Sequence, residues 1–108
     1  MNTSSAVTAV GETNVVSHSV MVKGVIGYFD QPTNTATLPV ITIYDAATTD
    51  VSSAPVRFKF QPSHEKNKEF GDVISITFPG DGLLFTKGVT VSVGAFAEST
   101  GEIRIIHD

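Results

Sequence analysis

Apolar and polar side chains alternate with a period of two through most of this chain. In PVRFKFQ, Val56, Phe58 and Phe60 fall on one side and Arg57, Lys59 and Gln61 on the other, the pattern of a strand with one core face and one wet face. DVISITF sets Ile74, Ile76 and Phe78 together, VTVSVGAF does the same with Val89, Val91 and Val93, and GEIRIIHD turns Ile103 and Ile105 inward. LPVITIYD reads as a further strand. From Val15 to Phe29, Val16, His18, Val20 and Val22 alternate with Ser17, Ser19, Met21 and Lys23 before Gly24 and Gly27 interrupt, which predicts a bulge or a close backbone approach. The segments DQPTNTAT, 30–37, and PSHEKNKEFG, 62–71, carry loop chemistry.

The total is about seven or eight short antiparallel strands with turn signals every 8 to 15 residues or so, the pattern of an all-β sandwich, jelly-roll-like or immunoglobulin-like. Residues 1–14 are small and polar with Val7 and Val10 as their strong apolar positions, and read as an N-terminal arm with room for one short strand. Residues 15–108 form the sandwich. Fourteen Val and thirteen Thr against three Leu reinforce the bias to pleated structure.

ITFPGDGLLFTKGVTVSV, 76–93, is the one glycine-rich stretch that invites a ligand. A phosphate loop needs GxxxxGK[ST] opening a helix, whereas here Thr86-Lys87-Gly88 leads into a Val/Thr strand. The glycines read instead as backbone devices. Pro79 and Gly80 suit the second and third positions of a turn, and Thr86-Lys87-Gly88 suits a hairpin loop that pairs Leu83–Phe85 with Val89–Val91.

Composition narrows the function classes. With 108 residues the chain fits one domain, and a formal net charge of -4 disfavours a nucleic-acid partner. Cys is absent, so neither a disulfide framework nor a cysteine zinc site is expected. The first residues hold no signal-peptide or transmembrane pattern, so no membrane partner is expected and the protein is expected to fold where it is made. His18, His64 and His107 are too scattered to read as a metal site, and HEKNKE is not HExxH. Asp45, Asp50 and Asp81 sit in loops and turns without the alternating acids of a calcium loop, and Asx turns account for them. Lys66 and Lys68 are offset by Glu65, Glu69 and Asp72. There is no GxSxG elbow, so no enzyme and no cofactor is expected.

One anomaly remains. If Leu83 and Phe85 face the core, Leu84 faces out; if Ile103 and Ile105 face in, Ile106 faces out; Phe96 and Phe70 also fall off the core pattern. Several such residues on neighbouring strands would form a contact patch, while bulges that shift register would bury them instead.

VKGVIGYF, LPVITIYDAATTD, RFKF, ITFPGDGLLFTKGVTVSV and GEIRIIHD together resemble the short β-sandwich virion proteins of tailed bacteriophages, particularly of marine and cyanobacterial hosts, over roughly residues 20–108. The resemblance implies a head decoration or cement protein, a homotrimer on the outer capsid surface, assembled in the host cytoplasm and bound to the major capsid protein and to copies of itself. A tail, neck or fibre component that binds a receptor or glycan through loops 30–37, 45–54 and 62–71 is the alternative, and a small enzyme or inhibitor is a third. The resemblance carries no catalytic, cofactor or metal residues.

Overall fold

β-branched side chains at every second position favour extended backbone and leave no helical stripe, and every regular element among the described residues is accordingly a strand. The computed structural model describes residues 1–30, 36–62 and 72–108, and among them nine strands are present. They are β1 (Asn2–Thr3), β2 (Gly11–Val16), β3 (Val20–Phe29), β4 (Ile41–Asp45), β5 (Val56–Phe60), β6 (Asp72–Thr77), β7 (Leu83–Phe85), β8 (Val89–Val93) and β9 (Gly101–His107).

Two antiparallel sheets result. The first has the order β1-β9-β3-β6, with β7 also on β3; the second runs β2-β8-β4-β5. β6 pairs with Gly24–Phe29 and β7 with Val20–Val22 along the same strand. They are therefore one strand interrupted by residues 78–82. Counted so, the sheets read 1-8-3-6 over 2-7-4-5, the order of a double-sheet jelly roll and not the ABED over CFG order of an immunoglobulin domain.

The inward positions are those that the alternation names. Val89, Val91, Val93, Ile103 and Ile105 are fully buried, and Ile41, Ile43, Val22, Val25, Phe29 and Phe85 join them in the core between the sheets. Gly24 and Gly27 mark close backbone approach as expected: a Cβ on Gly27 would lie 2.2 Å from the Glu102 carbonyl oxygen and one on Gly24 2.4 Å from that of Ile76. The register to β9 also shifts between Val22 and Gly24.

Four expectations change. Residues 1–14 are not a free arm: β1 extends the first sheet, Val7 is buried and bridges Ile103, and β2 forms an edge of the second sheet. Val7 anchors the segment because its side chain enters the core beside β9. Thr86–Gly88 is not a hairpin, since β7 belongs to the first sheet and β8 to the second. Phe85 and Val89, both buried, instead meet the core from opposite sheets. Val56 is half exposed because a bulge on β5, with Arg57 the extra residue against the consecutive Ile43 and Tyr44 of β4, sets it opposite Tyr44 instead of beside Phe58 on the core face. In the turn after β6, Gly82 N–H bonds the Pro79 carbonyl, so Pro79 opens that turn and Gly80, at φ +64°, takes its second position.

Candidate interaction surface

The polar candidates resolve into structural roles. Asp45, at the end of β4, is 6% exposed, and its carboxylate accepts four hydrogen bonds from the crossover between the sheets. Oδ2 takes the Thr86 N–H and hydroxyl at 3.0 Å each; Oδ1 takes the Lys87 N–H at 2.9 Å and the Gly88 N–H at 3.4 Å. Burial pushes the Asp45 pKa up, but the N–H groups of Lys87, Thr86 and Gly88 and the Thr86 hydroxyl outweigh it and hold the group below its ordinary 3.8. A carboxylate so saturated is a clasp on the chain and has little capacity left for a ligand.

Asn14 and Thr90 close the neighbouring surface. Asn14 Nδ2 lies 3.0–3.2 Å from the Val16, Ala46 and Val89 carbonyls and Thr90 Oγ1, and the Thr90 hydroxyl reaches the Ala46 and Thr48 carbonyls. Asp50 forms the expected Asx turn, accepting the Ser52 N–H and hydroxyl, which lower its pKa. His18 stands in the loop between β2 and β3, not in a strand, and His107 ends β9; each ring bonds only a neighbouring carbonyl. His64 lies outside the described residues. No group of three or more His, Asp or Glu that would hold a metal occurs among the described residues.

The apolar candidates behave differently. Leu84 on β7 and Ile106 on β9 both project from the outer face of the first sheet, because Phe85 and Ile105 beside them are buried. The register sets Met21 beside Leu84, Gly24 beside Ile106, Ile26 between Ser75 and Arg104, and Tyr28 between Val73 and Glu102. One face thus collects Met21, Ile26, Tyr28, Val73, Leu84 and Ile106. Tyr28 and Leu84 are about half exposed and Val73 is 83% exposed. Glu102 and Arg104, 3.4 Å apart, are the charged pair on it.

Phe96 does not join this patch. Its ring packs edge-on against Phe29, with centroids 5.5 Å apart, and covers an end of the core. The segment that carries it is held down by paired backbone bonds between Thr37 and Ala97. Phe70 lies outside the described residues. Sequence reasoning missed Tyr28, Val73, Met21 and Ile26: alternation shows that each opposes a core residue, but only the pairing of β3 with strands far away in sequence brings them to one face.

Arg57, expected on the wet face of β5, spans the mouth between the sheets. Its guanidinium donates to the Leu84 carbonyl at 3.3 Å and lies 5.9 Å from the Phe85 ring centroid. It ties β5 of the second sheet to β7 of the first, and so fixes the backbone from which Leu84 projects.

No family model, no curated protein and no solved structure matches this chain.

Proposed function

We propose that this protein is a non-enzymatic structural component of a phage virion, most specifically a decoration protein that seats the outer face of its first sheet on the major capsid protein. The observation that carries the proposal is the gathering of Leu84 and Ile106, with Met21, Ile26, Tyr28 and Val73, on one face of a closely packed sandwich. Scattered apolar residues are normal on a surface, whereas a contiguous set marks a contact. Double-sheet jelly rolls occur in viral capsid domains, lectins and cupins, so the fold is compatible with this role without choosing it. The phage assignment itself is supported by the sequence resemblance.

The mechanism is geometric. A ligand that binds only the assembled shell stabilises that state by mass action, and several copies held together gain affinity through simultaneous contacts. The test is co-sedimentation with expanded empty heads, using the native chain and the double variant Leu84→Ser with Ile106→Ser. Native protein is expected to sediment with heads and the variant to stay in the supernatant while keeping its fold. Equal attachment by both would remove the face from the mechanism; binding to host cells or surface glycan with no binding to heads would favour the tail or fibre role.

A further inference from the structure

A jelly roll of two open sheets has four edges, and natural sheets protect such edges from stray pairing by shortness, bulges and charge. Three edges here carry those protections. β1 is two residues long. β2 carries Glu12 and a register shift between Asn14 and Val16. β5 carries Arg57 and Lys59, and the ladder joining it to β4 is bulged. β7, which continues the fourth edge, has its Leu84 carbonyl covered by Arg57.

β6 carries one of these, the charge of Asp72 at its first position, and none beyond it. Residues 73–77 read Val-Ile-Ser-Ile-Thr, without charge, proline or bulge, and their register to β3 is regular from Gly24 to Phe29. The Phe78 N–H donates to the Lys23 carbonyl at 2.9 Å beside the Thr77–Gly24 pair. Thr77–Gly24 is therefore a non-hydrogen-bonded pair, and by alternation so are Ser75–Ile26 and Val73–Tyr28. The N–H and C=O groups of Val73, Ser75 and Thr77 consequently point away from β3, along an edge on which no other described strand pairs. A shallow groove lined by Phe60, Gln61 and Pro62 runs beside it.

We propose that β6 is the contact through which two copies of this chain join, antiparallel and about a two-fold axis at Ser75. Val-Ile-Ser-Ile-Thr reads nearly the same in both directions, since Val and Thr share a shape. Pairing with itself centred on Ser75 sets Val73 opposite Thr77, Ile74 opposite Ile76 and Ser75 opposite its copy. That register keeps core-facing residues on the core side and matches every outward backbone group of residues 73, 75 and 77 with a partner. It brings no like charges together, as pairing β5 with itself would through Arg57 or Lys59. The two-fold axis stands perpendicular to the joined sheet, so both outer faces lie on one side, with Ser75 and Thr77 of both copies along the seam and an apolar set on either side of it. This replaces the threefold arrangement that the resemblance implies.

Sedimentation of the native chain across a concentration series tests the contact, with amide exchange at Val73, Ser75 and Thr77 followed in parallel. The expected result is a dimer whose protection at these three amides rises with concentration; a monomer at every soluble concentration, or a trimer, would overturn the proposal. Ser75→Lys, at an exposed position, sets two ammonium groups against each other and is expected to weaken the dimer by about tenfold or more. Undiminished dimerisation of that folded variant would also overturn it. Because the chain contains no Cys, Ser75→Cys supplies a single thiol. A hydrogen-bonded antiparallel pair separates its Cα atoms by about 5.5 Å, within disulfide reach. Air oxidation is expected to link the copies, and failure to link counts against the register. A dimer that ignores heads would sink the shell-binding proposal and leave this one standing.

Discussion

The two glycine-rich breaks between β6 and β8 differ in what they do to the chain and in what holds them. The first, residues 78–82, leaves the first sheet and returns to the same partner strand: Thr77 pairs Gly24 and Leu83 pairs Val22, so five residues stand opposite Lys23 alone. Pro79, Gly80 and Asp81 are exposed, while Phe78 turns inward against Phe58, ring centroids 5.1 Å apart. The second, residues 86–88, carries the chain from one sheet to the other. Its backbone is held by a buried carboxylate of β4, and Gly88 is packed against Val16 and Ala46. An excursion within one sheet needs only permissive turn geometry; a passage between sheets must also satisfy its backbone polar groups where water is scarce. Similar composition therefore marks one site tolerant of change and one that is not.

The sharpest way to break that contrast is to add one methyl group to the crossover. A Cβ on Gly88 would stand 2.3 Å from the Val16 carbonyl oxygen and 2.9 Å from that of Ala46, both backbone atoms that cannot swing away. Gly88→Ala is expected to lose about 4 kcal/mol, combining overpacking with backbone displacement, as measured by urea unfolding. A loss under about 1 kcal/mol would show that the crossover is not rigidly held.

Removal of the Asp45 charge tests the clasp itself. Asp45→Asn keeps the shape but offers one acceptor oxygen where two now receive four bonds, and is expected to cost about 3 kcal/mol. The same contact sets an acid dependence. Because the folded-state pKa lies below the ordinary 3.8, the contribution is complete above that value and disappears as pH falls through the lower, folded one. Stability of the native chain is expected to fall more steeply below that point than stability of Asp45→Asn, and parallel curves would remove Asp45 from the acid response.

How much of this was legible depends on whether the deciding contact is local. β8 and the core face of β9 follow from alternation, because Val89, Val91, Val93, Ile103 and Ile105 repeat every second position and nothing interrupts the pleat. β5 shows the most regular alternation in the chain, yet Val56 lies outside: the bulge against β4 leaves no mark on the spacing. The crossover read as a hairpin because turn chemistry specifies a bend, not which sheet receives the next strand. The electrostatic partner that settles it, Asp45, lies 41 positions from Thr86. For the surface, Leu84 and Ile106 were legible as apolar residues opposite core ones. Tyr28 and Val73 were not, since they become neighbours only through pairing across an interval longer than any local pattern covers.

The smallest effects are expected in the first break, and they separate its two left-handed glycines. At Gly82, φ is +102° and an added Cβ would meet the Val22 carbonyl oxygen, a backbone atom of β3, at 2.4 Å, so the exposed turn that the residue ends must shift instead. Gly82→Ala is expected to cost about 2 kcal/mol. At Gly80, φ is +64°, a region that non-glycine residues enter at modest strain, and an added Cβ meets nothing within 4 Å. Gly80→Ala is expected to cost about 1 kcal/mol and Gly80→Asn less, because Asn tolerates the left-handed region. Thermal unfolding of the three variants should therefore rank Gly82→Ala lowest and Gly80→Asn highest. If Gly80→Ala instead matched Gly88→Ala, conformation and not crowding would govern both breaks, and the contrast between excursion and crossover would collapse.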